Sequence, residues 1–227
     1  FEDASTYQHV LSKIGRGLQD PVRFTLRKGQ TPARLAAQMG WAFQADSAAF
    51  ASVLHDSTLH EDPDIALPTF FSRMLPDTYE FYWDTEPKEV ISRIQKVFDQ
   101  KTRELYQSIP DDKRAMSLED AIKMASIVEW EAAKDDEKPR IAGLYYNRLR
   151  RGMRLQADPT VNYAIGERRR LFYEDYRVRH PFNTYRIKGL PPAPINNPAL
   201  SSIKAALLPE EHDYLYMVAE PGATGYH

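Results

Sequence analysis

Two carboxylates, Glu129 and Glu131, lie in an otherwise apolar helical stretch that reads Met-Ala-Ser-Ile-Val-Glu-Trp-Glu over residues 124–131. An acid in such surroundings is costly unless it is paired or held neutral for proton transfer. Downstream come Asn147, Gln156, Asp158, Thr160 and Asn162, side chains suited to hold sugar hydroxyls and acetamido groups. One buried acid followed by such a series points to carbohydrate chemistry, in which the acid protonates a glycosidic oxygen. Ser117 offers an N-cap to the helix that carries both glutamates, with Glu119 and Asp120 in its first turn. At about 100° per residue, Ala121, Met124, Ala125, Ile127 and Val128 fill a broad apolar arc, and the two glutamates fall at its margins. Residues i and i+2 point about 200° apart on a helix, so the pair cannot converge on one bond. Periodicity does not choose between them.

Composition narrows the function classes. The net charge of −2 gives no general reason to bind nucleic acid or an anionic membrane. Between Lys138 and Lys188, however, there are 13 Lys and Arg against 4 Asp and Glu, either a solvated face or a basic groove for an anionic polymer. Cysteine is absent, which removes disulfides, thiolate metal sites and a cysteine nucleophile. The six histidines show no paired helical spacing, so no metal site is expected. No phosphate loop, dinucleotide glycine motif or serine elbow occurs, and no cofactor is expected. No run of about 18 apolar residues is present, and the chain opens at Phe1, so it is expected to be the soluble part of a longer, membrane-anchored protein.

The elements that position these residues can be read in outline. Residues 5–19 pattern as a short amphipathic helix and 21–26 as a strand. A Lys28-Gly29-Gln30 turn follows, then Thr31-Pro32 as helix start and Gly40 as its stop. This strand–turn–helix resembles half of a LysM-like glycan-binding module. Residues 50–54 read as helical, 55–68 as an acidic loop, 75–83 as an aromatic-rich segment and 87–106 as a long amphipathic helix. A second helix near the glutamates covers 141–151, with Ile141, Leu144, Tyr145 and Leu149 inward. From Gly152 the chain reads as loop, including Asp158-Pro159 and a proline-stiffened stretch from Leu190 to Pro198. Residues 201–208 form a short helix, and 213–219 pattern as a buried strand.

Three runs in order, 125–129, 142–149 and 155–161, resemble the endolytic murein transglycosylases, the YceG-like or MltG family. Phe182-Asn183-Thr184-Tyr185, the 189–198 segment, Asp213-Tyr214-Leu215-Tyr216 and Leu75-Pro76-Asp77-Thr78-Tyr79 extend the likeness from about Val22 to Ala219. The resemblance implies an α+β chain. Residues 1–20 would be the tail of a membrane-proximal subdomain, 21–72 a LysM-like subdomain and 73–227 a mixed α/β catalytic domain. It also implies an N-terminal membrane helix that this chain lacks, a place at the extracytoplasmic face of the cytoplasmic membrane, and peptidoglycan glycan strands as the partner. The cell-wall synthesis machinery is a further expected partner. Two departures stand out. The family commonly has Glu-Lys-Glu-Thr where this chain has Glu129-Trp130-Glu131-Ala132, and members usually continue past residue 227.

By that resemblance Glu129 is the catalytic acid and Glu131 the reserve candidate. A lytic transglycosylase cuts the N-acetylmuramic acid–N-acetylglucosamine bond without water, because the muramoyl C6 hydroxyl is the nucleophile and closes a 1,6-anhydro ring. A single carboxyl therefore suffices, whereas ordinary glycosidases need two. Asn147, Gln156, Asp158, Thr160, Asn183 and Tyr185 are the expected substrate-binding residues, and Arg148, Arg150, Arg151 and Arg154 are expected to meet stem-peptide carboxylates. Two other readings remain: a non-catalytic peptidoglycan-binding module, and a two-carboxylate hydrolase with Glu129 as acid and Asp158 as base.

Overall fold

Thr31 begins a helix because its hydroxyl accepts from the Arg34 amide at 3.4 Å and Pro32 needs no amide partner in the first turn. The computed structural model describes residues 7–17, 19–56 and 71–218. In chain order these form α1 (Tyr7–Arg16), β1 (Val22–Leu26), α2 (Pro32–Ala42), α3 (Ser47–His55) and β2 (Asp77–Phe81). Then come α4 (Pro87–Ser108), α5 (Leu118–Glu131), α6 (Lys138–Arg150), α7 (Asp158–Ile165) and α8 (Leu200–Leu207). The chain is α+β: helices with a small two-stranded sheet. Most of the acidic loop expected at 55–68 lies outside the described residues.

β1 and β2 pair antiparallel, with Phe24 opposite Tyr79 and Leu26 opposite Asp77. Alternation sends Phe24, Leu26, Tyr79 and Phe81 inward, where they join Leu35, Met39, Phe43 and Phe50. Val90, Ile91 and Ile94 from the first half of α4 complete this core, so it draws on residues from both sides of position 72. A second core gathers Phe98, Met124, Ile127, Val128, Ile141, Leu144, Tyr145, Ile203 and Leu207 from α4, α5, α6 and α8. At about 0.8 kcal/mol per buried methylene, these apolar arcs give the helices their fixed places.

Two expectations need correction. Residues 213–218 form no strand, and Tyr214, Tyr216 and Val218 are 58%, 69% and 73% exposed. A short apolar run looks alike in a strand, a helix or a strap, and here it lies as a strap along α6. Asp158-Pro159 opens a helix instead of a loop, since proline near a helix start sacrifices no hydrogen bond. Gly166, in the left-handed region at φ 74°, closes it.

Candidate active site

The two glutamates of α5 sit in opposite electrostatic surroundings. Glu129 is buried, its side chain 1% exposed. Its Oε2 accepts from Ser202 Oγ at 2.6 Å, from the Ala199 amide at 3.0 Å and from Lys138 Nζ at 3.3 Å. Lys28 Nζ faces Oε1 at 2.9 Å. Burial pushes the Glu129 carboxyl up, but the Ser202 and Lys28 hydrogen bonds, the Ala199 amide and the Lys138 charge outweigh it and hold the pKa below the usual carboxylate value. Ala199 is the N-cap of α8 and has no side-chain acceptor of its own, so Glu129 caps that helix from a neighbouring element. A group with this many donors is a fixed anion and a poor proton source at rest.

Glu131, the last residue of α5, is different. Burial raises its pKa to about 7; the Tyr145 hydroxyl and the Arg148 charge oppose the rise, and the Asp158 charge adds to it. Tyr145, itself fully buried on α6, donates to Glu131 Oε1 at 2.9 Å. The other carboxyl oxygen can carry a proton toward a ligand. Beside it Asp158, in the first turn of α7, accepts from Tyr185 at 2.6 Å and from Tyr176 at 3.4 Å. The Tyr176 and Tyr185 rings meet edge to face at 4.6 Å. Burial and Asp158 together raise the pKa of both phenols, so they stay donors across the neutral range.

The structure thus draws Glu131, Asp158 and Tyr185 into one electrostatic cluster. Gln156, just before α7, is the sole non-glycine with positive φ among the described residues, at 52°, and is exposed on the loop leading to Asp158. Thr160 and Asn183 are framework. Thr160 Oγ1 is buried 2.8 Å from Thr184 Oγ1, and Asn183 Nδ2 donates to the Tyr176 and Val178 carbonyls. Asn183 Oδ1 accepts from the Tyr185 amide, so Asn183 shapes the loop that presents Tyr185. Asn147 instead straps down the C-terminal segment, donating to the His212 and Tyr214 carbonyls at 2.6 and 3.2 Å. Arg148 is buried, with Nε on the Leu215 carbonyl at 2.6 Å, while Arg150, Arg151 and Arg154 are exposed.

Tyr145 and Tyr176 were not singled out by the sequence reading. Tyr145 reads as one more inward aromatic of α6, and only its 2.9 Å hydrogen bond to Glu131 reveals its second role.

The model of the YceG-like family matches residues 1–227. The chain belongs to the YceG-like family. An endolytic murein transglycosylase of Bacillus subtilis (strain 168) is 37% identical over 150 residues, 65% of this chain and 41% of that protein. One from Streptococcus pneumoniae serotype 2 is 27% identical over 231 residues, 89% of this chain and again 41% of the relative. The chain therefore spans about two fifths of the length of these curated relatives. A crystal structure of a yceG-like protein from Listeria monocytogenes superposes with a TM-score of 0.78 at 29% identity, covering 99% of this chain and 78% of the other. Within this YceG-like chain, α5 and α6 supply Glu131 and Tyr145, and the α7 start and the loop at 185 supply Asp158 and Tyr185.

Proposed function

We propose that this chain is the catalytic part of a peptidoglycan lytic transglycosylase that cleaves within glycan strands, with Glu131 as its acid and base. One contrast carries the assignment of the acid: Glu129 is met by Ser202, the Ala199 amide, Lys138 and Lys28, which favour its anion, whereas Glu131 meets the Tyr145 hydroxyl and burial raises its pKa to about 7. General acid–base catalysis is most effective when the group's pKa lies near the working pH. Glu131, the reserve candidate, is therefore proposed as the acid in preference to Glu129. The relatives' shared name, endolytic murein transglycosylase, supports the substrate class.

The steps follow from the chain's own groups. Protonated Glu131 gives its proton to the oxygen between N-acetylmuramic acid and N-acetylglucosamine, and that β-1,4 bond breaks. The resulting carboxylate, steadied by Tyr145, then takes the proton of the muramoyl C6 hydroxyl as its oxygen bonds to C1. The products are a 1,6-anhydromuramoyl end and a free N-acetylglucosamine end, and the acid is regenerated. Asp158, in the same cluster as Glu131, would favour the positive charge that builds on the sugar ring. Tyr185 fixes the Asp158 carboxylate through its 2.6 Å hydrogen bond.

A LysM-like reading of the N-terminal unit is supported by β1, α2, α3 and β2, which among the described residues come in that chain order with β1 and β2 as an antiparallel pair. We read this unit as the one that grips glycan, with residues 1–20 leading from a membrane-anchored segment and the site working outside the cytoplasmic membrane. No helix among the described residues is long and apolar enough to cross a membrane.

Product analysis on purified glycan strands is the test. Anhydromuramoyl ends are expected. Reducing muramoyl ends would make the chain a hydrolase using Glu131 with Asp158, and intact strands with retained binding would make it a binding module.

A further inference from the structure

The turn after β1 reaches across to the end of the catalytic helix. Lys28 Nζ lies 2.9 Å from Glu129 Oε1. Gly29, at φ 64°, packs so closely on Trp130 that a Cβ there would stand 2.6 Å from the indole Nε1. The Gln30 amide donates to Asn197 Oδ1 at 3.0 Å, and Asn197 Nδ2 donates back to the Arg27 carbonyl at 3.0 Å and to that of Met74 at 3.3 Å. On its other side Glu129 holds the N-terminus of α8 through Ala199 and Ser202, and the start of α6 through Lys138. One carboxylate thus ties four elements together.

Glu131 is the final residue of α5, where a helix has begun to lose its own hydrogen bonds. Its direction is set by what grips the last turn, and that grip is at Glu129 and Trp130. The two lysines on Glu129 differ. Lys138 is 1% exposed, also pairs with Asp135 at 2.6 Å and donates to Ser201 Oγ at 2.9 Å, so it belongs to the permanent core. Lys28 is 54% exposed and rides on a turn of the N-terminal unit. It is the half of the junction that can open.

We infer that Glu129 is a positioning residue, and that with Lys28 it forms a latch through which docking of the β1–α2 turn aims the Glu131 side chain. This rests on Glu131 being the acid. The latch makes the rate of bond cleavage depend on the seating of the N-terminal unit, so that a strand gripped by that unit is met by a correctly set acid.

The experiment compares Lys28→Met and Lys28→Arg with wild type, measuring kcat and KM for strand cleavage and hydrogen exchange at 27–30 and 129–132. Lys28→Met keeps the apolar stem and removes the charge. It is expected to lower kcat about 3- to 10-fold, because small misplacements of a reacting group are costly, with KM changed less than about twofold. Exchange should quicken at both segments, and Lys28→Arg should restore most of kcat. Wild-type kcat and exchange in Lys28→Met would overturn the latch. So would a raised KM with kcat unchanged, which would make Lys28 a direct strand contact, or a kcat loss that Lys28→Arg does not recover. The exchange at 129–132 reads the latch without reference to chemistry, whereas activity in Glu131→Gln would overturn the acid assignment, so the two failures are distinguishable.

Discussion

Glu131→Gln should make the protein more stable at pH 8, and by an amount that depends on pH. The Glu131 pKa moves from 4.5 to about 7 on folding, mainly through burial. The sign follows from linkage: the folded state holds the proton more tightly than the unfolded chain, so stability is fully present below pH 4.5 and is lost as pH rises toward 7. At about 1.4 kcal/mol per tenfold, the difference has a ceiling of about 3 kcal/mol at pH 8. Partial exposure of the Glu131 side chain at the helix end brings this to about 1–2 kcal/mol. Glutamine keeps an oxygen for the Tyr145 hydroxyl and cannot ionise. Urea unfolding of both proteins from pH 4 to 8 is the assay, with the Asp158, Tyr176 and Tyr185 groups common to both. The Gln variant should gain about 1–2 kcal/mol relative to wild type between pH 4.5 and 8. A difference between the two that stays flat across this range would refute the raised pKa and the reasoning built on it.

Glu129→Gln should act in the opposite direction, losing about 1–3 kcal/mol at pH 7 because Lys138 and Lys28 lose a charged acceptor, although Lys138 keeps Asp135. This loss should begin to shrink as pH falls below 4.5 and vanish only below the lower folded-state pKa, where the wild-type carboxyl is neutral too, and thermal unfolding at pH 7 and at progressively lower pH checks it. Gly29→Ala should cost about 1–2 kcal/mol, from the left-handed backbone and the contact with Trp130, read as a lowered Tm. Tyr185→Phe leaves Asp158 without its 2.6 Å donor and should lower kcat on glycan strands more than it alters Tm, as steady-state kinetics beside calorimetry would show.

Two helices of the site, α5 and α6, were legible because their signals are local, whereas α7, which carries Asp158, read as loop. Ser117 and Thr31-Pro32 cap where expected, and the apolar arc of α5 is buried throughout. The choice between Glu129 and Glu131 was not legible, since both lie at the margins of that arc. What separates them comes from far along the chain: Lys28, Lys138, Ser202 and Ala199 converge on one, Tyr145 and Asp158 surround the other. A helical wheel contains none of that information. Asp77–Phe81 read only as aromatic-rich, because its partner strand lies more than 50 residues earlier. Arg148 looked like a groove cation, yet its guanidinium is spent on the Leu155 and Leu215 carbonyls, a role that becomes visible only once the C-terminal strap is placed.

The rate of strand cleavage by purified Glu131→Gln, with folding verified by circular dichroism, tests the central claim most directly. Removing the group proposed to give and retrieve the proton should cut the rate by at least about 10²–10⁴-fold while glycan binding persists. Cleavage within about tenfold of wild type would contradict the account and return the search for the acid to the other carboxylates of the cleft.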